Sequence, residues 1–155
     1  MMKKLLFVIC FICSLSYADN EITITQTGND FVLWVEQVGH NHSLTANVDG
    51  ESNLITSSQQ DNGHTSTMDI VGDFNTVMVM QKEGGSHQLE LDILNDNNST
   101  SVLQEGNGSH DATITLDGTY GTTLELTQSS GLNKSYSLQQ NCLTPSGCSV
   151  TITQN

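Results

Sequence analysis

The feature that most constrains this chain is an internal repeat. Gly or Asn recurs at turn-like positions about every eleven residues, at Gly28, Gly39, Gly50, Gly63, Gly72, Gly84, Asn95, Gly106, Gly118 and Gly131. Between these positions lie runs of alternating polarity, such as Thr76-Val77-Met78-Val79-Met80-Gln81 and Ala112-Thr113-Ile114-Thr115-Leu116. Period-two alternation of this kind belongs to short half-buried strands separated by tight turns. Such units bury their apolar faces by stacking on one another, because no single repeat encloses a core.

The eleven-residue units are of two alternating kinds, so the true period is about 22 residues. One kind ends in glutamine, at Gln37, Gln59, Gln81, Gln104 and Gln128. The other ends in an aliphatic residue, at Val48, Ile70, Ile93 and Leu116. Counting back in steps of two from these anchors assigns the inner face. The glutamine strands contribute Leu33 and Val35, Ile55 and Ser57, Val77 and Val79, Thr100 and Val102, Leu124 and Leu126; the aliphatic strands contribute Leu44 and Ala46, Ser66 and Met68, Leu89 and Leu91, Ala112 and Ile114. The alternate positions carry charge, among them Glu36, Asp69, Glu90, Asp92 and Glu125. The pattern predicts an all-β solenoid of about five to six two-strand coils, with amyloid-like stacking of each strand on its counterpart one repeat later, about 4.8 Å away.

In-register stacking predicts side-chain ladders. The glutamine column is placed to pass amide hydrogen bonds from coil to coil, which satisfies groups that are costly to bury unpaired. Asn53, Asn75 and Asn98 lead into the glutamine strands and form a second column. The equivalent corner before the aliphatic strands holds His42, His64, His87 and His110, followed by Asn133. Two readings of that histidine column stand side by side: a pH switch or row of Zn or Cu ligands, and a plain replacement of Asn in a corner ladder.

The ends are expected to direct the chain out of the cell. Lys3 and Lys4 precede the apolar run Leu5 to Leu15, which is too short to span a bilayer, and Ser16-Tyr17-Ala18 offers small residues for a signal peptidase. Residues 1–18 are expected to be a signal peptide, 19–141 a repeat solenoid, and 142–155 a disulfide loop with a terminal strand. Cys10 and Cys13 each follow Ile, which is wrong for a lipid-attachment site. Cys142 and Cys148 flank Leu-Thr-Pro-Ser-Gly, a spacing that in a secreted chain reads as a small disulfide loop, either a cap on the last coil or a staple of the terminal strand.

Cleavage after Ala18 leaves Lys82 and Lys134 against 17 acids, a net charge of −15. That balance excludes nucleic acid and adhesion to an anionic membrane as partners, and no later segment is apolar enough for membrane insertion. No nucleophile–base motif accompanies the single Trp34, the scattered acids or the histidines, so neither catalysis nor a cofactor is expected. An ice-binding solenoid needs a regular threonine array, and the outward Thr23, Thr25, Thr113 and Thr115 do not persist through the central coils.

The segments Ile24-Thr25-Gln26-Thr27-Gly28-Asn29, Val35-Glu36-Gln37-Val38-Gly39-His40-Asn41 and Ser101-Val102-Leu103-Gln104-Glu105-Gly106-Asn107 recur in phase. In this the chain resembles the curlin family of bacterial amyloid subunits, whose repeats follow a Ser-x5-Gln-x-Gly-x4-Asn-x5-Gln pattern. The resemblance covers roughly residues 22 to 141 and returns in Val150 to Gln154. It departs from the family where Val48, Ile70, Ile93 and Leu116 replace a second glutamine and where histidines replace an asparagine. A Gly- and Asn-rich export segment before the first repeat is also missing, and the rank of major or minor subunit stays open.

The resemblance implies a secreted structural subunit that leaves through a curli outer-membrane pore. It would polymerise with itself and a companion curlin subunit into extracellular fibres for biofilm matrix and adhesion. The alternative is a monomeric secreted solenoid that acts as an adhesin or ligand-binding, for example ice-binding, protein.

Overall fold

The computed structural model describes residues 19–155. The segment assigned above to a signal peptide lies outside the described residues. Twelve strands follow one another: β1 (Glu21–Thr27), β2 (Val32–His40), β3 (Ser43–Asp49), β4 (Leu54–Asn62), β5 (Thr65–Val71), β6 (Thr76–Lys82), β7 (Gln88–Ile93), β8 (Ser99–Glu105), β9 (His110–Gly118), β10 (Thr122–Ser129), β11 (Lys134–Cys142) and β12 (Cys148–Gln154). Odd strands form one six-stranded parallel sheet in the order β1-β3-β5-β7-β9-β11, and even strands form the other, β2-β4-β6-β8-β10-β12. The chain is a β-solenoid of six turns, each turn one odd and one even strand.

Register follows the repeat residue by residue. Gln37 pairs with Gln59, Gln59 with Gln81, Gln81 with Gln104 and Gln104 with Gln128. Val48, Ile70, Ile93 and Leu116 form the matching aliphatic column. A slip of one residue turns every inner side chain outward, so the alternation itself enforces this register. The core is the space between the two sheets, filled by Leu33, Leu44, Ile55, Met68, Val79, Leu91, Ile114 and Leu126 with their rung neighbours.

The corners are stacked as tightly as the strands. Their backbone N–H groups bond one turn on or one turn back, as in Gly50 to the Thr27 carbonyl at 3.0 Å and Leu54 to the Asn75 carbonyl at 2.8 Å. Asp30, Ser52, Phe74 and Asn97 repeat a left-handed conformation at one corner, with φ between 55 and 61°. Gly50 shows why glycine recurs beside it: a Cβ there would lie 2.0 Å from the Gly72 carbonyl oxygen.

Cys142 and Cys148 are disulfide-bonded, with Cα atoms 5.7 Å apart. The loop does not interrupt the last coil. Cys142 ends β11 in register with Gly118, and Cys148 opens β12 in register with Thr122, so the bond staples the corner between them. For so short a loop the loss of the crosslink costs about 2 kcal/mol. A Cys142→Ser, Cys148→Ser chain is therefore expected to exchange β12 amides roughly 30-fold faster while β6 and β8 stay protected. Hydrogen exchange followed by mass spectrometry reads this; uniform acceleration across all strands would contradict a local staple.

Candidate assembly edges and buried side-chain ladders

The glutamine column is buried between the sheets and runs in one direction. Gln37 Nε2 donates to Gln59 Oε1 at 2.8 Å, Gln59 to Gln81 at 2.9 Å, Gln81 to Gln104 at 2.8 Å and Gln104 to Gln128 at 2.9 Å. Gln128 then donates to Gln154 at 2.8 Å, which adds a sixth rung. The amides of Gln37, Gln59, Gln81, Gln104 and Gln128 also donate to a carbonyl of the facing sheet, as Gln81 Nε2 does to Thr65 O at 3.1 Å. Consistent donor direction leaves Gln37 presenting Oε1 at one end of the stack and Gln154 presenting Nε2 at the other.

The aliphatic column has glutamine at both ends. Gln26 is in register with Val48, and Gln140 with Leu116. The second glutamine that the four central turns lack is thus present in the first and last turns. Counting from the aliphatic anchors alone hid this, because those anchors stop at Leu116.

The asparagine column uses its side chains to receive the backbone of the next turn. Asn53 Oδ1 accepts the Asn75 N–H at 2.9 Å, Asn75 Oδ1 the Asn98 N–H at 2.9 Å, and Asn98 Oδ1 the Thr122 N–H at 2.8 Å. The histidine column does the same with a ring nitrogen. His42 Nδ1 accepts the His64 N–H at 3.3 Å, His64 Nδ1 the His87 N–H at 3.1 Å, and His87 Nδ1 the His110 N–H at 3.2 Å.

The opposite ring nitrogens face carbonyls: Nε2 of His42, His64, His87 and His110 lies 3.2, 2.7, 3.0 and 2.8 Å from the carbonyl oxygens of Val38, Gln60, Lys82 and Glu105. A carbonyl only accepts, so Nε2 carries the proton, and Nδ1, which receives an N–H, carries none. His42, His64 and His87 are therefore held as the neutral Nε2–H tautomer. The rings stack at centroid separations of 5.3, 4.8 and 4.9 Å.

This geometry bears on the metal reading of the histidines and leaves their response to pH as a separate matter. A metal ligand needs an imidazole lone pair, and in His42, His64 and His87 that pair already holds a backbone N–H. Among the described residues no group of three or more His, Cys, Asp or Glu is arranged to hold a metal ion. Histidine here does the work of asparagine, and Asn20 begins the same column by accepting the His42 N–H at 3.0 Å.

The sixth member is not Asn133. Lys134 is in register with His110, because the corner between β9 and β10 is one residue longer than in the turns before it, and the His110 Nδ1 is left buried and without a hydrogen-bond partner. Burial pushes the His64 imidazolium down to about 4, with the neighbouring His87 and His42 rings adding to the effect against the Gln60 carbonyl. His42 and His87 are shifted the same way, chiefly by burial.

The outer surface divides the charge. On the odd sheet the outward acids are Glu21, Asp49, Asp69, Glu90, Asp92, Asp111 and Asp117. Asp69 and Asp92 are adjacent rungs, and Asp92 is held above the usual carboxylate range by burial first and then by Asp69 and Glu90. The threonines of this face extend further than the alternating runs suggested. Thr23, Thr45 and Thr67 form one column, broken by Glu90 before Thr113.

Both ends of the stack are open sheet edges. β1 and β2 border one end, and β11 and β12 the other. No helix occurs among the described residues to cover either edge. The last turn presents no charged side chain on its outward strand positions: Ser135, Ser137, Gln139 and Asn141 on β11, Ser149, Thr151 and Thr153 on β12.

No family model matches the chain, and neither a curated protein nor a solved structure matches it.

Proposed function

We propose that this chain is a secreted structural subunit that stacks head to tail into an extracellular amyloid-type fibre, the role implied by its resemblance to the curlin subunits. The observation that carries the reading is the match between its two open ends. A second copy placed with β1 and β2 on β11 and β12 continues both sheets in parallel. It sets Gln26 on Gln140 and Gln37 on Gln154, where the Gln154 Nε2 donor meets the Gln37 Oε1 acceptor. Head-to-head contact sets like groups against each other. Unpaired strand edges with complementary ladders are templates for strand addition.

Export through an outer-membrane pore, a companion subunit and a role in adhesion belong to the same proposal. The test is X-ray fibre diffraction and Congo red binding on the chain from Asp19 onward. The expected result is a meridional reflection near 4.8 Å. A stable monomer without it would favour the soluble adhesin or ligand-binding reading.

Charge governs the rate of such assembly. Two subunits of net charge −15 repel at long range, and screening within a Debye length of about 10 Å at 0.1 M salt removes most of that barrier. The junction itself places no acid on an acid, since the outward positions of β11 and β12 are neutral and Lys134 falls beside Asp19 and Glu21 of the next copy. Thioflavin-monitored growth is expected to quicken as salt rises from about 10 to about 500 mM, and unchanged kinetics would contradict it.

A further inference from the structure

The even sheet differs from the odd one on its outer face. Its outward positions carry Val32, Trp34 and Val38 on β2, Leu54 on β4, Met78 and Met80 on β6, all exposed, Trp34 at 46% and Met78 at 50%. The charges on this face are Glu36, Lys82, Glu105 and Glu125, and Lys82 is paired with Glu105 at 2.9 Å. Glu36 accepts the Ser58 hydroxyl at 3.2 Å. Three acids and one lysine give a net −2, against −7 for the seven outward acids of the odd sheet.

We infer that a second copy of this chain packs on the outer face of the even sheet, so that two solenoids lie side by side. The two-fold axis runs parallel to the stacking axis, and each rung then meets its own counterpart. Met78 and Met80 pack on Met80 and Met78 of the other copy, and the Val32–Trp34 rung packs on its own twin. Strands run antiparallel across this interface, and both solenoids point the same way. The pairing is therefore compatible with stacking at the ends, but it does not depend on it.

Three observations select this occupant. Any arrangement using the odd sheet brings in seven acids, whereas the even sheet brings the two methionine rungs together, sets Val32 on Val38 and Trp34 beside Glu36 of the twin, and keeps the Lys82–Glu105 pair at the margin. Six strands about 4.8 Å apart and seven residues of about 3.3 Å give a face of roughly 670 Å², so a pair buries about 1,300 Å², within the range of specific interfaces. Six of the exposed apolar side chains lie on this face, which is what such contacts bury, and sheets packing face to face sit about 10 Å apart.

Trp34 is the only tryptophan and lies on the face in question, so its emission and acrylamide quenching report the contact directly. The variants are Met78→Lys with Met80→Lys on the even sheet, and Val71→Lys with Leu94→Lys, residues of the odd side, as the control. All four side chains are exposed, and circular dichroism checks that each chain folds. In fibres, scanning transmission microscopy reads mass per length. Two chains per six-rung rise, about 29 Å, are expected for the wild type and the control, and one for the methionine variant.

A wild-type value of one chain overturns the pairing. If no fibre forms, the stacking reading fails, and sedimentation equilibrium on the soluble chain decides the pairing alone. A dimer with quench-protected Trp34, lost in the methionine variant, supports it. A monomer with accessible Trp34 at every concentration overturns it. A monomer with protected Trp34 assigns the face to another segment of the same chain, and protection appearing only with lipid vesicles assigns it to a membrane; either overturns it.

Discussion

A Gln81→Leu chain is expected to lose about 3–5 kcal/mol of folding stability. Gln81 Oε1 accepts from Gln59 at 2.9 Å and from the Ser66 hydroxyl at 2.9 Å, while its Nε2 donates to Gln104 and to the Thr65 carbonyl. Leucine fills the space but leaves the Ser66 hydroxyl and the Gln104 oxygen buried with those bonds unmade. Each costs about 1–3 kcal/mol, and a domain holds only about 5–15 kcal/mol in all. Gln59 retains its bonds to the Ser43 and His64 carbonyls. Gln37 stands at the end of the ladder with a single glutamine partner, so Gln37→Leu is expected to cost about 1 kcal/mol. Urea denaturation of the two variants reads the difference. Equal losses would mean that the amides act singly and not as a ladder.

Acidification is expected to loosen the histidine edge of the solenoid. His64 has an ordinary value of 6.5 and is held at about 4 in the folded chain. A base whose folded value is depressed contributes stability above its unfolded value, and loses it as the pH falls towards the folded one. The loss therefore runs from about pH 6.5 down through 4 and reaches roughly 3 kcal/mol for His64 alone. Protonating Nδ1 also removes the acceptor that holds the His87 N–H.

His42 and His87 shift in the same direction, and the Asp61 charge opposes the shift at His42 and His64 only weakly. Asp92 acts with opposite sign, since its folded value is raised and its protonation stabilises the native chain. A His64→Asn chain keeps the acceptor in the form that Asn20 and Asn53 already use, and is expected to flatten the profile between pH 6.5 and 4. Melting temperatures of the two chains across that range are the measurement. Identical pH dependence would show that the histidines do not set it.

The two glutamine-strand and aliphatic-strand faces were legible from spacing because burial in a two-sheet solenoid imposes a strict period of two. Leu33, Ile55, Val77, Leu89 and Ile114 lie inward as the alternation requires. Where the period changes, counting fails. The corner between β9 and β10 has one more residue, so Lys134 and not Asn133 stacks on His110. The end rungs break the aliphatic rule with Gln26 and Gln140, which residue type sets apart from the aliphatic column they stack on. The cysteine spacing announced a small loop but left cap and staple equal, because the choice depends on whether β11 and β12 keep their register on either side.

The sequence by itself determined the period, the two strand types, the inner residues and the columns of glutamine, asparagine and histidine, because a one-dimensional repeat needs only nearest-neighbour stacking. Tertiary structure alone decided what those columns do. The direction of the amide ladder arises between residues 22 to 26 positions apart, and the neutral tautomer of the histidines combines such a contact at Nδ1 with a carbonyl four or five residues back at Nε2. Hydrogen bonds and burial act across that gap through the stack, and no local pattern of residue types records which nitrogen donates or which face meets water.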